Sequence, residues 1–284
     1  MLKKELETAI ALARNAGDLI LEFYENGFEV EEKFSKDNFS EPVTEADRAS
    51  SELIIAGLRE AFPMDGILSE EAVDTDERLT KQRVWMIDPI DGTRSFVEKA
   101  GDFAVQIGLT ENGKPIVGVV FQPINNRLYF AVKDKGAYLI DNNGELQKLQ
   151  VSDKFDFREM TLAVSRSHRS PKMASLADYF GFKDELPHGS VGLKIGLLAQ
   201  QQADLYIHLS PRTKFWDTCA PQIILEEAGG KLTDLFGQEI IYDIQDVQNY
   251  NGVLATNGTA HETVLAHLKQ LLAKFGRLRV KTKR

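Results

Sequence analysis

Cysteine is almost absent from this chain, with Cys219 the only one among 284 residues. A single cysteine excludes a disulfide within the chain and suits a reducing compartment. Long apolar runs are also missing: none reaches the length of a membrane-spanning helix, and Glu5 and Glu7 interrupt the N-terminal stretch where a signal peptide requires an apolar region. We therefore expect a cytoplasmic protein without an integral membrane segment.

Basic residues are outnumbered, with 34 Lys and Arg against 43 Asp and Glu and a net charge of −9. Proteins that bind nucleic acids neutralise the phosphate backbone with Lys and Arg, so this balance argues against a nucleic-acid polymer as partner. A small anionic ligand remains possible. The only concentrated basic segment is the tail, residues 276–284, which we predict to be solvated and frayed.

Two different patterns of secondary structure divide the chain. Amphipathic helices are predicted at 2–24 and 44–62, and short β-rich runs separated by turn signals follow up to Ile140, which indicates an antiparallel sheet. Strands and helices alternate from about Leu162 onward, as is typical of an α/β unit. We predict an N-terminal α+β lobe over 1–155, a smaller α/β lobe over 156–275, and the basic tail over 276–284.

Acidic residues stand at several predicted strand and helix ends. Asp88 and Asp91 follow an apolar run in DPIDGT, where Pro89 directs a turn and Gly92 allows a close approach of the backbone. Two neighbouring carboxylates repel each other unless a cation neutralises them, which favours a hard divalent ion. Taken alone, this pair also fits an ordinary strand-end turn. Glu70 alone would fit a solvated loop, and Asp217 alone would fit an acid that stabilises a helix start.

Several motifs together resolve this ambiguity. The chain contains VTEAD (43–47), LSEE (68–71), DPIDGT (88–93) and WD (216–217), followed by EEAGG (226–230). This ordered set resembles the Mg²⁺-dependent, lithium-sensitive inositol monophosphatase and bisphosphate nucleotidase superfamily, over about residues 2–272. The resemblance implies a layered αβαβα sandwich, combining α+β and α/β parts, with the active site between the lobes.

The resemblance also implies roles for matching residues. Two or three Mg²⁺ ions would be held by carboxylates and one carbonyl oxygen: Glu70, Asp88, Ile90 (carbonyl), Asp91 and Asp217. Thr93, oriented by Asp47, would act with Glu70 on the attacking water, so that no phosphoenzyme is needed. The backbone N–H groups of Gly92 and Thr93 would meet phosphate oxygens.

Arg94 and three later segments resemble the 3′(2′),5′-bisphosphate nucleotidase branch. Inositol monophosphatases usually read DGTTNF where this chain has DGTRSF, and SRSH, GSVGLK and SPRTK are also similar to nucleotidase segments. The predicted substrate contacts are Gly92, Thr93, Arg94, Ser165, His168, Ser190, Lys194 and Arg212. The other four histidines are predicted to be structural: His188, His208, His261 and His267.

The resulting hypothesis is hydrolysis of the 3′-phosphate of adenosine 3′,5′-bisphosphate to AMP and phosphate, a reaction associated with sulfur assimilation. The substrate partner would be a small phosphorylated molecule, and the family resemblance makes a homodimer possible. Two alternatives stay open: a phosphatase for inositol or sugar phosphates, and an inactive scaffold that binds a phosphate ligand. A complete set of acids argues against the inactive scaffold.

Overall fold

The computed structural model describes residues 2–34, 40–166 and 170–281. Its first part consists of α1 (Lys3–Asn26), the antiparallel hairpin β1 (Val30–Phe34) and β2 (Ser40–Thr44), and α2 (Glu45–Ala61). Thr44 ends the hairpin and caps α2, because its hydroxyl accepts from Asp47 N–H while the Asp47 carboxylate accepts from Thr44 N–H.

A seven-stranded sheet follows within residues 66–148, counted over the described chain. Its strands lie in sequence order: β3 (Gly66–Ser69), β4 (Arg83–Asp91), β5 (Ala104–Glu111), β6 (Lys114–Gln122), β7 (Arg127–Val132), β8 (Ala137–Ile140) and β9 (Leu146–Lys148). Only the β3–β4 pairing is parallel. The short helix α3 (Thr93–Val97) leaves the end of β4 and directs the chain back toward β5.

The second part of the described chain, residues 161–274, alternates strands and helices. Its elements are β10 (Thr161–Ser165), α4 (Pro171–Phe180), β11 (Asp184–His188), α5 (Val191–Ala199), β12 (Leu205–His208), α6 (Phe215–Glu227), β13 (Lys231–Thr233), β14 (Val253–Thr256) and α7 (His261–Lys274). The sheet order is β11-β10-β12-β14-β13, with β10 parallel to both of its neighbours.

Three apolar clusters stack these elements into layers. One cluster packs α1 and α2 on one face of the large sheet, a second packs α5 and α6 between the two sheets, and a third packs α4 and α7 on the outer face of the smaller sheet. The order helices–sheet–helices–sheet–helices confirms the predicted αβαβα sandwich. The lobe boundary at 155 stays a prediction.

Glycines set how closely α6 approaches the large sheet. A Cβ added to Gly118 would lie 2.4 Å from the carbonyl oxygen of Ala220, and one added to Gly108 would lie 2.6 Å from Cys219 Sγ. Real Cβ atoms do not approach so closely, so both strands need glycine under this helix. Because α6 carries Asp217, this packing also sets the height of that carboxylate above the sheet.

Two features differ from the sequence analysis. No strand was predicted between the first two helices, yet this stretch forms hairpin β1–β2 in the register Val30↔Thr44. The tail was predicted to be solvated and frayed, yet Val280 exchanges two hydrogen bonds with the Asn251 side chain (2.8 and 3.0 Å), and Arg277 donates to the Tyr250 carbonyl. The Asn251 side-chain amide pairs with both the backbone N–H and the C=O of Val280 and so holds this part of the tail.

Among the described helices, none combines the length and the apolar character that crossing a bilayer requires.

Candidate active site

Three carboxylates meet where β4 ends and α6 begins. Asp88 and Asp91 flank a register shift in the β4–β5 pairing, which releases the strand end from regular pleating. Asp217 lies in the first turn of α6, where the helix dipole favours an acid. Together, Asp88, Asp91 and Asp217 offer oxygen atoms that all lie within 4.8 Å of one another.

Glu70 completes the acidic site from the end of β3. It lines the same cavity of about 190 Å³ as the three aspartates, together with Glu41, Pro42, Ile90, Gly92, Thr93 and Arg94. Burial and then the charge of Asp217 raise the pKa of Glu70 well above its usual value. The structure therefore brings all the predicted metal ligands to one cavity, including Ile90.

The electrostatics of this cavity favour a bound cation. Burial raises the pKa of Asp88 well above its usual value, and the charges of Glu70 and Asp91 raise it further. Burial and the charge of Asp91 raise the pKa of Asp217 to about 7. Moreover, Oδ1 of Asp88 is buried without a hydrogen-bond partner among the described residues. An all-oxygen, acid-rich set with an unpaired buried oxygen fits a hard divalent cation.

Asp91 joins the end of β4 to the start of α5. Its Oδ2 accepts hydrogen bonds from the Ser190 hydroxyl and, at 2.8 Å, from Gly192 N–H. Ser190 caps α5, since its hydroxyl also accepts from Leu193 N–H at 3.0 Å. The helix start thereby holds this carboxylate in one orientation.

Thr93 and Asp47 form a hydrogen-bonded pair at the cavity edge. The Thr93 hydroxyl has two acceptors, the Ile90 carbonyl at 3.0 Å and Asp47 Oδ1 at 3.3 Å. The other oxygen of Asp47 accepts from the hydroxyl (2.6 Å) and the N–H (2.8 Å) of Thr44. Burial raises the pKa of Asp47 to about 6 despite these hydrogen bonds. The carboxylate is thus fixed in orientation and mostly ionised at neutral pH.

Gly92 permits the turn between the strand and this pair. Its φ of +94° is costly for other residues, and a Cβ would lie 2.8 Å from the Asp102 carbonyl oxygen. Arg94 follows and lines the acidic cavity, and its role as a substrate contact stays a prediction.

A second cavity of about 520 Å³ lies beside the acidic one, and Glu41 lines both. Ser165 and Arg212, both predicted substrate contacts, belong to its wall. Its other lining residues include Met173, Tyr206, His208 and Leu209, which give it a largely apolar surface with a few polar groups. Such a cavity is large enough for a small organic molecule. The predicted contact His168 lies outside the described residues.

Two predicted substrate contacts face the protein interior instead. Ser190 is fully buried and serves Asp91 and the helix cap. Lys194 is 1% exposed, and its ammonium group donates to the Gly189 carbonyl at 2.9 Å. Burial lowers the pKa of Lys194 to about 8, opposed chiefly by the charge of Asp91. In this conformation neither side chain reaches either cavity, and Lys194 instead supplies positive charge beneath the acids.

Glu41, Tyr206 and His208 line the two cavities but were not predicted as site residues. Glu41 lies two residues before the motif VTEAD, which was the available signal that this stretch lies near the site. Tyr206 and His208 alternate along β12 and so share one face, where Tyr206 Oη lies 3.0 Å from His208 Nδ1. His208 therefore stands at a cavity wall, whereas His261 is buried between Thr233 and Thr256 as the structural prediction required.

Comparisons with known proteins agree with this geometry. The sequence profile of the inositol monophosphatase family matches residues 1–273. The 3′(2′),5′-bisphosphate nucleotidase CysQ of Salmonella typhimurium is 37% identical over 238 residues, which cover 84% of this chain and 93% of that protein. CysQ of Escherichia coli strain K12 is 36% identical over the same length.

Solved structures of this kind superpose on most of the chain. An inositol monophosphatase of Thermotoga maritima has a TM-score of 0.81 and 27% identity, covering 96% of this chain and 99% of its own. CysQ of Bacteroides thetaiotaomicron has a TM-score of 0.74 and 30% identity, covering 90% and 98%.

Proposed function

Since the chain belongs to the inositol monophosphatase family, we propose that it is a Mg²⁺-dependent phosphomonoesterase that removes the 3′-phosphate of adenosine 3′,5′-bisphosphate and releases AMP and phosphate. The observation that carries this proposal is the junction of the two cavities. An acid-lined cavity sized for a phosphate group opens beside a larger, mostly apolar one, with Glu41 common to both. The relatives named as 3′(2′),5′-bisphosphate nucleotidases support the same substrate class.

The cation sites would be formed by the carboxylates of Glu70, Asp88, Asp91 and Asp217 with the carbonyl oxygen of Ile90. Two or three Mg²⁺ ions bound there would neutralise charge on the phosphate and lower the pKa of a coordinated water. Without a cation, the same acids would repel a phosphate dianion, so the residues of the site require one for substrate binding.

The protein's own groups would position and accept the proton of the attacking water. Thr93 Oγ donates to Asp47 and the Ile90 carbonyl, so its lone pairs are available to a water hydrogen. The Asp47 carboxylate, held by Thr44 and with a pKa of about 6, would receive the proton through Thr93. Gly92 and Thr93 N–H groups would bind phosphate oxygens at the start of α3.

The larger cavity would hold the nucleoside and its 5′-phosphate. Met173, Tyr206 and Leu209 offer apolar and aromatic surface to a base, while Arg212 offers positive charge to the second phosphate. Ser165 would supply a hydroxyl to the nucleotide. We further propose that the protein acts in the cytoplasm and that a homodimer forms there, as the family resemblance suggests.

A phosphate-release panel tests the substrate. The purified protein with Mg²⁺ would be assayed on adenosine 3′,5′-bisphosphate, phosphoadenylyl sulfate, inositol 1-phosphate and fructose 1,6-bisphosphate, with Li⁺ as inhibitor. We expect the highest kcat/KM for adenosine 3′,5′-bisphosphate. A higher kcat/KM for inositol 1-phosphate would support the second candidate, an inositol phosphatase, which the higher TM-score of the Thermotoga maritima structure favours.

A substitution at Arg212 tests the proposed contact with the second phosphate separately. Arg212→Ala should raise KM for adenosine 3′,5′-bisphosphate about tenfold, because it removes a charged contact, while KM for adenosine 3′-monophosphate stays near the wild-type value. Lys154→Ala is a matched control, since it removes a cation whose partner is Asp204, in a region that lines neither cavity. Equal increases in KM for both substrates would exclude Arg212 from this role.

A further inference from the structure

Gln106 is a buried amide that has no hydrogen-bond partner in the part of the chain that the structure describes. It lies on β5, in the interior of the large sheet, and is 0% exposed. Neither Nε2 nor Oε1 has a partner among the described residues. Burying an unsatisfied amide costs on the order of 1–3 kcal/mol, whereas an apolar side chain of similar shape would avoid this cost. The stability of the fold therefore does not explain an amide at this position.

The location of Gln106 points to the acidic site. Gln106 pairs directly with Asp88 in the antiparallel β4–β5 register. Residues directly opposite each other in such a pair project from the same face of the sheet, with Cβ atoms about 5 Å apart. Asp88 also carries a buried atom, Oδ1, for which residues 2–34, 40–166 and 170–281 offer no hydrogen-bond partner. Two unsatisfied polar groups thus lie on the same face at neighbouring positions.

The Gln106 amide also packs under the residues that hold Asp91. A Cβ added to Gly192 would lie 3.0 Å from Gln106 Oε1, so the amide lies directly below the start of α5. Gly192 N–H donates to Asp91 Oδ2 at 2.8 Å. Gln106 therefore lies opposite Asp88 on the sheet and against the start of α5, the helix whose Gly192 N–H holds Asp91.

We propose that Gln106 is a positioning residue for the cation site: its amide N–H groups donate to Oδ1 of Asp88 and fix the orientation of this carboxylate when a divalent cation is bound. This inference rests on the proposed function, in which Asp88 is a cation ligand. A neutral amide suits this position because it can donate to a carboxylate without adding a charge that competes with the cation. Partners of this kind commonly change metal affinity 10- to 100-fold.

Mg²⁺ titration calorimetry on the full chain tests the proposal, combined with urea unfolding in EDTA. Gln106→Leu should weaken Mg²⁺ binding about tenfold, while its stability in EDTA stays equal to or above wild type because an unsatisfied amide has been removed. Gln106→Met is a second variant in case leucine does not fit. Thr110→Val is the matched control, since Thr110 is buried on the same strand and face but donates to the Val84 carbonyl.

The outcomes separate this inference from the proposed function. Weaker Mg²⁺ binding in the Gln106 variants with intact stability in EDTA, and unchanged binding in Thr110→Val, supports a positioning role. Unchanged Mg²⁺ affinity in the Gln106 variants overturns it but leaves the cation site standing. A loss of stability in EDTA that accompanies the weaker binding shows a structural role and also overturns it. Failure of the wild-type protein to bind Mg²⁺ overturns the cation site itself.

Discussion

Replacing Asp88 with asparagine should change the stability of the protein in opposite directions with and without Mg²⁺. The ligand atoms of Asp88, Asp91 and Asp217 lie within 4.8 Å of one another. At that separation and an effective dielectric constant of about 20, two ionised carboxylates repel each other by about 3.5 kcal/mol. Proton uptake relieves part of this repulsion, as the raised pKa of Asp88 indicates. We expect Asp88→Asn to stabilise the metal-free protein by roughly 2 kcal/mol.

With Mg²⁺ the sign should reverse, because under the proposed function the variant loses a charged cation ligand. A cation at one hundred times its dissociation constant stabilises the wild-type fold by about 2.7 kcal/mol. If Asp88→Asn weakens binding about 100-fold, the same concentration adds only about 0.4 kcal/mol. Turnover should fall to background over the same range of Mg²⁺. Urea unfolding in EDTA and in Mg²⁺ measures both free energies.

Asp204→Asn provides a matched control for this experiment. Asp204 is also a buried aspartate, but its carboxylate accepts hydrogen bonds from the Ser152 hydroxyl, Lys154 and Thr161 N–H, so its charge is stabilised. The Asp204 variant should lose stability equally with and without Mg²⁺. Lower stability of Asp88→Asn in EDTA together with full stabilisation by Mg²⁺ would refute both the repulsion among the acids and the role of Asp88 as a cation ligand.

Three further predictions concern the scaffold. Gly118→Ala should lower the free energy of unfolding by about 1–2 kcal/mol and weaken Mg²⁺ binding, because overpacking against Ala220 of α6 outweighs the entropic benefit of alanine. An unchanged free energy of unfolding in urea would contradict this prediction. Burial lowers the pKa of His261 to about 4, below its usual 6.5, so the stability it contributes above pH 6.5 should be lost as the pH falls toward 4. Unfolding at pH 5 and 7 measures this dependence, which His261→Gln should flatten. Truncation after Gly276 should lower the melting temperature by a few degrees, since the hydrogen bonds to Asn251 are lost. An unchanged melting temperature would show that the docked tail does not stabilise the fold.

Much of the acidic site was predictable because its carboxylates lie at element ends that the sequence marks clearly. Asp88 and Asp91 follow an apolar run and flank Pro89, and Asp217 stands at a predicted helix start. The division into an α+β part and an α/β part followed from the change between a run of strands and an alternating pattern, whereas the layered αβαβα sandwich was implied by the family resemblance. These features are local, so spacing and composition report them directly.

Other features depended on contacts between distant segments. Lys194 was predicted at a ligand surface, but every residue of α5 is buried, and a lysine there must pair with charges supplied by other elements, chiefly Asp91. The single lysine in VGLKIGLLA was the available signal, because such an apolar helix has no solvent face. Likewise, the pairing of β1 with β2 and the docking of the tail on Asn251 depend on partners that spacing does not reveal.

The hydrogen bonds from Ser190 and Gly192 to Asp91 have a consequence for dividing this protein. If the chain were cut near residue 155 and expressed as two fragments, the first would carry Asp88 and Asp91 without the donors that orient Asp91. The second would carry Asp217 without its partner acids. A divalent cation would then bind the reassembled pair, which has the full set of proposed ligands, more tightly than either fragment and would hold the two fragments together. Fragment complementation should therefore depend on Mg²⁺, which makes this scaffold suitable for a chelator-reversible split protein.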